Sequence, residues 1–547
     1  MKEQSKILKL IVSFQIGLFL VLSAILLLAQ PAVEKQTFMV PMRDVVRLAT
    51  DVYLPEGKGP FPVILIRTPY DKNALFGIGV EGKKRGYAVV IQDTRGRYAS
   101  EGANLPFESD AKDGYDTVQW IIKQEWCNGK IGTWGGSALG ITQLLAAGTG
   151  VKNITAQHIT VGAPSLYHDA VFTGGEFRKA LFGDWVRITK FSPLACDIVR
   201  KHPLYDSYWQ SMDISDKYQN VNSPAVHIGG WYDIFAQGMI DAFLGYQTKG
   251  GPQARGKQKL IMGPWTHAVF VEKAGELTFP KAKNPPTTFQ DAWKWFDHYL
   301  KGIDNGVDKE PAVTYYVMGD VSDPKAPGNE WRIANSWPPV KAKFTPIYLH
   351  PDKKLSWNKP KSEGKLSYTY DPKNPVPTIG GYQLTIPAGP MDQRKIEGRS
   401  DVLVFTSEPL SQPLEITGRV RAIIWASSDA PDTDFVARLC DVYPDGRSYN
   451  ICEGIIRACL RESFSQPKWL KPGKIYRFDI DLWSTSIIFN KGHRIRLHIT
   501  SSSSPGWEPN SNTGKLIHSE AEARIAHNTI YIGPTYPSHI LLPVVKK

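Results

Sequence analysis

The stretch Ile131-Gly-Thr-Trp-Gly-Gly-Ser-Ala-Leu-Gly140 constrains this chain more than any other. An apolar approach meets a glycine cluster, then a serine, then a run of helix formers. Such a segment reads as strand, sharp turn and helix, with Ser137 at the turn. A strained strand-to-helix turn raises a serine hydroxyl clear of the end of a sheet, and only small residues fit where strand and helix pass closely. The spacing is G-x-S-x-x-G, with Gly135 two before the serine and Gly140 three after. A serine in a glycine-rich turn before a helix also serves as a plain N-cap, so the motif alone leaves both readings open.

Two downstream segments narrow the choice. Pro224-Ala-Val-His-Ile-Gly-Gly-Trp-Tyr-Asp233 is a short apolar strand with a carboxylate just past its end. Lys259-Leu-Ile-Met-Gly-Pro-Trp-Thr-His267 is another, running into a loop that carries histidine. Serine, acid and histidine in that chain order are the pattern of an α/β-hydrolase triad, and parallel sheets present functional groups at the carboxyl ends of their strands. His267 would take the proton of Ser137 and Asp233 would orient the imidazole. Asp233 could equally be a helix cap, and His267 is one of twelve histidines; the three together, in order and each at a strand end, favour the triad. An oxyanion hole needs two donors. The amide of Ala138 is one candidate. Tyr70, just beyond the apolar run Phe61-Pro-Val-Ile-Leu-Ile-Arg-Thr68, is either the second or a packed aromatic.

The chain resembles the cocaine esterase and X-prolyl dipeptidyl peptidase family, whose relatives include glutaryl-cephalosporin acylases and α-amino-acid ester hydrolases. The resemblance rests on Arg67-Thr-Pro-Tyr-Asp-Lys72, Gln92-Asp-Thr-Arg-Gly-Arg-Tyr-Ala-Ser-Glu-Gly102, Gly135-Gly-Ser-Ala-Leu-Gly140, Gly230-Trp-Tyr-Asp233 and Gly263-Pro-Trp-Thr-His267. It continues through residues 389–404, Asp441-Val-Tyr-Pro-Asp-Gly-Arg447 and Lys491-Gly-His-Arg-Ile-Arg-Leu497. It implies Ser137 as nucleophile, Asp233 as acid and His267 as base, with the Tyr70 hydroxyl and the Ala138 amide as the oxyanion hole. Two departures stand out. Alanine follows the nucleophile where the family often has tyrosine. The positions after Asp233 are Ile234, Phe235 and Ala236, not the acidic residues by which α-amino-acid ester hydrolases hold an ammonium group.

The remaining chain suits an α/β-hydrolase domain with a helical cap insertion, followed by an all-β jelly roll. Residues 36–302 read as the hydrolase domain. A stretch at about 163–222, with Phe172, Phe177, Trp185, Trp209 and Met212, breaks the strand–helix rhythm as a cap would. Residues 303–345 are rich in Pro, Gly and Asp and read as a connecting segment. Period-two strands with turn signals fill 346–547, where the resemblance implies the jelly roll. At 547 residues and 42% hydrophobic, the chain is long enough for two or three cores. Phe172, Trp185 and Phe235 are candidates for a substrate pocket favouring uncharged apolar or aromatic acyl groups, or else core aromatics joining cap to body.

The first 32 residues read as a signal peptide or membrane anchor. Lys2, Lys6 and Lys9 precede an apolar run over residues 10–29, long enough to span a bilayer once and a candidate membrane tether. That places the protein outside the cytoplasm, either free or anchored. A net charge of +12 without a dense basic run reads as a solvated surface, not a nucleic-acid site. Five cysteines are too few for a disulfide scaffold. Cys440 and Cys452 flank a hairpin turn and could pair across it or remain two packed thiols; a one-residue slip would send them to opposite faces. No Cys/His spacing suggests a metal, and no cofactor is implied. The expected activity is hydrolysis of a small-molecule ester, or of an amide, through an acyl-enzyme. The alternatives are X-prolyl peptidase or acylase chemistry on amides, and an inactive hydrolase fold used for binding. A homo-oligomer remains open.

Overall fold

The structure is a computed structural model describing residues 35–339 and 342–545. The expected signal peptide or anchor over residues 1–32 lies outside the described residues. Among the described residues no helix is long and apolar enough to cross a membrane.

The hydrolase body is a ten-stranded sheet. Its strands are β1 (Gln36–Pro41), β2 (Arg47–Tyr53), β3 (Phe61–Thr68), β4 (Ala88–Asp93), β5 (Cys127–Gly136), β6 (Ile154–Thr160), β7 (Ala225–Gly230), β8 (Lys259–Gly263), β9 (Val313–Val317) and β10 (Glu330–Ala334). Their spatial order is β1-β2-β4-β3-β5-β6-β7-β8-β9-β10. From β4 to β9 the pairing is parallel, with antiparallel strands at both edges. Parallel strands are covered on both faces and so are nearly all apolar. In β3, Val63 and Leu65 enter one buried cluster while Ile64 and Ile66 enter another on the opposite face. The first cluster is closed by helices Asp110–Ile121, Ala138–Gly148 and Ala236–Lys249, the second chiefly by Ala292–Lys301.

The connecting segment expected over 303–345 needs correcting. Val313–Val317 is a fully buried strand, Val-Thr-Tyr-Tyr-Val, paired in parallel with β8, and Glu330–Ala334 forms the sheet's edge. Proline, glycine and aspartate around these short strands masked them, because burial here comes from tertiary packing and leaves no long periodic run.

Between β6 and β7 the chain forms short helical turns and a two-stranded hairpin, from Leu166 through Gln210. Beyond residue 342 it is all-β, with eleven strands joined in one hydrogen-bonded network. Its longest strands, Leu414–Ser428 and Tyr476–Phe489, pair with each other. The two regions share one core: Trp231, Tyr232, Met262 and Tyr316 of the body are continuous with Ile347, Phe435, Leu482 and Leu497 of the β domain. A bulge sets Cys452 opposite Leu439 and Cys440 opposite Asn450, so these two are not cross-strand partners. All five thiols are free.

An ionic contact also crosses the junction. His493 of the β domain is 1% exposed, with Nδ1 2.8 Å from Asp441 Oδ1 and Nε2 3.3 Å from Asp320 Oδ2, beyond the end of β9. Burial pushes the imidazole down, but the hydrogen bond and charge of Asp441, then the charge of Asp320, outweigh it and the net shift is upward from 6.5. A basic group whose folded pKa is raised contributes its stability fully below the unfolded value, about 6.5, and loses it as pH rises through the folded value. The difference in Tm between the protein and His493→Gln is therefore expected to be widest near about pH 6 and to narrow toward about pH 9. Thermal melts across that range check it; a constant difference would assign His493 to packing alone.

Candidate active site

Four loops at the carboxyl ends of β3, β5, β7 and β8 converge on one point. Ser137 follows β5 directly and begins the helix Ala138–Gly148. Its backbone is strained, at φ 59 and ψ −126, a region that costs on the order of 1–3 kcal/mol for a non-glycine residue. Hydrogen bonds hold it there: Ser137 N–H donates to Thr160 O (2.9 Å), and Ser137 O accepts from Gly140 N (2.9 Å) and Ile141 N (3.0 Å). The G-x-S-x-x-G spacing has a steric cause. A Cβ on Gly140 would come within 3.1 Å of Thr160 O and 3.3 Å of Gly162 Cα, at the end of β6.

His267 lies four residues past β8 and Asp233 three past β7. His267 Nε2 is 2.8 Å from Ser137 Oγ, and Nδ1 is 3.0 Å from Asp233 Oδ1. An ionised carboxylate only accepts, so the ring proton belongs on Nδ1 and Nε2 is left to accept from the serine hydroxyl. The Asp233 side chain is 0% exposed and that of His267 17%. Asp233 Oδ2 also accepts from Phe235 N–H at 2.9 Å. The Phe235 ring stands edge-on to the imidazole, centroids 5.8 Å apart.

Tyr70 lies on the loop after β3, and its oxygen accepts from Trp185 Nε1 at 3.0 Å. That bond leaves the phenolic hydrogen free to donate elsewhere. Burial pushes the Tyr70 phenol up, against the opposing pull of Trp185 and Ser137, so it remains an O–H donor at neutral pH. Ala138 is the first residue of its helix, where main-chain N–H groups have no acceptor within the helix.

These groups border a small cavity of about 30 Å³, on the scale of a water molecule or two. Ser137 and Ala138 form its floor. Tyr70, Ile141 and Phe235 come from the body, Phe182 and Trp185 from the cap, and Leu384 from the β domain. Trp185 is stacked on Phe107 at 5.6 Å with an interplanar angle of 6°. No charged side chain lines the cavity among the described residues. Of the three expected pocket aromatics, Trp185 and Phe235 are at the wall and Phe172 is not. Phe172 packs inside the cap against Tyr167, Phe177 and Trp209, because its hairpin turns its side chain toward the cap core.

Two contributors to the site were not assigned a role from the sequence. Leu384 sits in an irregular loop of the β domain, far along the chain from Ser137. Arg97 is 5% exposed and its guanidinium donates to Pro69 O (2.9 Å), Thr189 O (2.6 Å) and Lys190 O (2.9 Å). It thereby ties the loop carrying Tyr70 to the cap segment that follows Trp185. The run Asp93-Thr-Arg-Gly-Arg97 stood out as a family feature, but its carbonyl partners are visible only in three dimensions.

A serine, an imidazole and a buried carboxylate in hydrogen-bonded series at the strand ends of this sheet define a serine hydrolase of the α/β-hydrolase fold. Residues 44–194 and 189–269 match the family model described as X-Pro dipeptidyl-peptidase (S15 family), and residues 305–541 match the X-Pro dipeptidyl-peptidase C-terminal non-catalytic domain. The chain belongs to this family. It is 36% identical to the cocaine esterase of Rhodococcus sp. (strain MB1 Bresler), covering 93% of this chain and 98% of that one. It is 28% identical to a putative serine esterase of Mycobacterium tuberculosis (strain CDC 1551 / Oshkosh), over 84% and 89% of the two chains. Among solved structures, an α-amino acid ester hydrolase superposes with a TM-score of 0.78 at 26% identity, over 96% of this chain and 99% of the other.

Proposed function

We propose that the protein hydrolyses carboxylic esters with uncharged apolar or aromatic acyl groups, through an acyl-enzyme on Ser137. The observation that carries this reading is the continuous relay from Ser137 Oγ through His267 to Asp233, at 2.8 and 3.0 Å. Ser137 Oγ attacks the ester carbonyl as its proton passes to His267 Nε2. The Ala138 N–H and the Tyr70 O–H receive the charge that develops on the carbonyl oxygen. His267 then protonates the departing alkoxide, and water attacks the acyl-enzyme by the same route in reverse.

The apolar cavity supports the substrate class. A buried ammonium or carboxylate would lack a partner there, at a cost of several kcal/mol. This disfavours substrates recognised by a free α-amino group, although the family includes peptidases and a putative Xaa-Pro dipeptidyl-peptidase of Bacillus anthracis is 22% identical to this chain. Phe235 braces the imidazole as well as the acyl group, so its removal would affect all substrates together.

Hydrolysis of a panel of p-nitrophenyl esters, beside X-Pro and amino-acid anilides, tests the reading. Ser137→Ala is expected to abolish fluorophosphonate labelling and nearly all turnover, leaving about 10³-fold over water from binding and the oxyanion hole. Near-native esterase activity in that variant would end the proposal.

Tyr70→Phe deletes one hydroxyl and keeps the ring. Its kcat is expected to fall by about 10²–10³ with little change in KM. Unchanged kcat would make Tyr70 a packing residue only.

Leu384→Ala enlarges the cavity from the β-domain side. It is expected to shift kcat/KM toward benzoyl over acetyl esters by about 1–3 kcal/mol of discrimination. An equal change on both esters would remove Leu384 from the acyl wall.

A further inference from the structure

Behind the triad acid a guanidinium is buried without a carboxylate to bond to. Arg178, at the end of the cap hairpin, is 2% exposed. Its Nη1 donates to Asp169 O (3.1 Å) and Ile234 O (2.9 Å), and its Nη2 to Tyr382 O (2.6 Å). Every side-chain hydrogen bond it makes among the described residues thus goes to a main-chain carbonyl. A further neighbour is aromatic: the Trp483 ring centroid lies 5.9 Å from the guanidinium.

The three carbonyls come from different parts of the molecule. Asp169 belongs to the cap. Ile234 follows the triad acid directly. Tyr382 lies in the β domain, two residues before Leu384. The turn at Asp233 is bonded on its other sides by Asp233 N–H to Gly230 O (3.0 Å), Ala236 N–H to Asp233 O (3.1 Å) and Phe235 N–H to Asp233 Oδ2 (2.9 Å). The Ile234 carbonyl is the remaining handle on that turn, and Arg178 holds it.

Taking a guanidinium out of water is costly, and here three main-chain carbonyls that an apolar side chain would leave unpaired accept its N–H groups. Burial pushes Arg178 down to about 10, and the charges of Asp233, then Glu453, Asp169 and Tyr382, act against that. It is still a cation at neutral pH, and Asp233 is the group whose charge favours it most.

We propose that Arg178 is a positioning residue for the triad acid: it fixes the Asp233 turn through the Ile234 carbonyl and ties that turn to the cap and the β domain. It acts through Asp233 and touches neither substrate nor the reacting atoms. The inference rests on the triad reading, in which Asp233 orients His267.

The test compares Arg178→Gln and Arg178→Lys in the full chain. Misplacement of catalytic groups by about 1 Å costs on the order of 10²-fold, so Arg178→Gln is expected to lower kcat by about 10–10²-fold. KM should stay within about threefold, because the acyl wall is intact. Fluorophosphonate labelling should slow by the same factor as kcat. Arg178→Lys keeps the charge but reaches fewer carbonyls. It should recover only part of kcat, and it decides the matter if the glutamine variant does not fold. Native kcat in either folded variant overturns the proposal. So does a loss in Arg178→Gln that appears in KM and not in kcat, and so does failure of both variants to fold, which would assign Arg178 to stability. Failure of the triad reading is separately visible: it shows as turnover surviving in Ser137→Ala, whatever the Arg178 variants do.

Discussion

The end of β7 is wedged between two domains, and the site depends on that wedge. Trp231 and Tyr232 come immediately before Asp233 and are both almost completely buried. Trp231 Nε1 donates to Tyr316 O at 2.7 Å and its ring lies 5.6 Å from Trp337. The Tyr232 hydroxyl donates to Asn450 O of the β domain at 3.3 Å. Two large aromatic side chains buried on both sides of a junction contribute roughly 1.5–3 kcal/mol each. Their more important effect is geometric, because a close-packed core does not let the next residue drift. Asp233 inherits a fixed position from its neighbours, and His267 inherits its orientation from Asp233.

This makes the β domain part of the wall and the bracing around the site. It supplies Leu384 to the cavity wall, Tyr382 O to Arg178, and the carbonyl of Asn450 to the Tyr232 hydroxyl. Thr385 bonds across to the cap at Ala180 O and to Asp184 Oδ2. Cap, body and β domain therefore meet around one small apolar space. Two buried arginines fasten the meeting, Arg97 under the Tyr70 loop and Arg178 under the Asp233 turn. Each uses the planar fork of the guanidinium to gather several main-chain carbonyls at once. Strain concentrates at the opposite side of the space, at Ser137, where the helix start and the end of β6 leave no alternative backbone path.

Much of the site is legible before folding is considered. Ser137, Asp233, His267 and Tyr70 each follow a short apolar run that reads locally as a strand, and loops after parallel strands are where such groups collect. The same local reading fails where the signal is short or the partner distant. Val313–Val317 joins the hydrolase sheet although its surroundings resemble a linker. Phe172 and Trp185 look alike in sequence, yet one is cap core and the other cavity wall. The thiols at 440 and 452 look symmetric about their turn until one bulge separates them.

The sequence by itself determined the alternation of strands and helices, the all-β character of the later half, and the order and strand-end placement of the reacting groups. These follow from side-chain periodicity and from glycine, which act between residues a few positions apart. Tertiary structure alone decided the distances within the relay, the size of the cavity, the arrival of Leu384, and the carbonyls gathered by Arg97 and Arg178. Those depend on contacts between segments far apart in the chain, and packing density, not local pattern, sets where such segments come to rest.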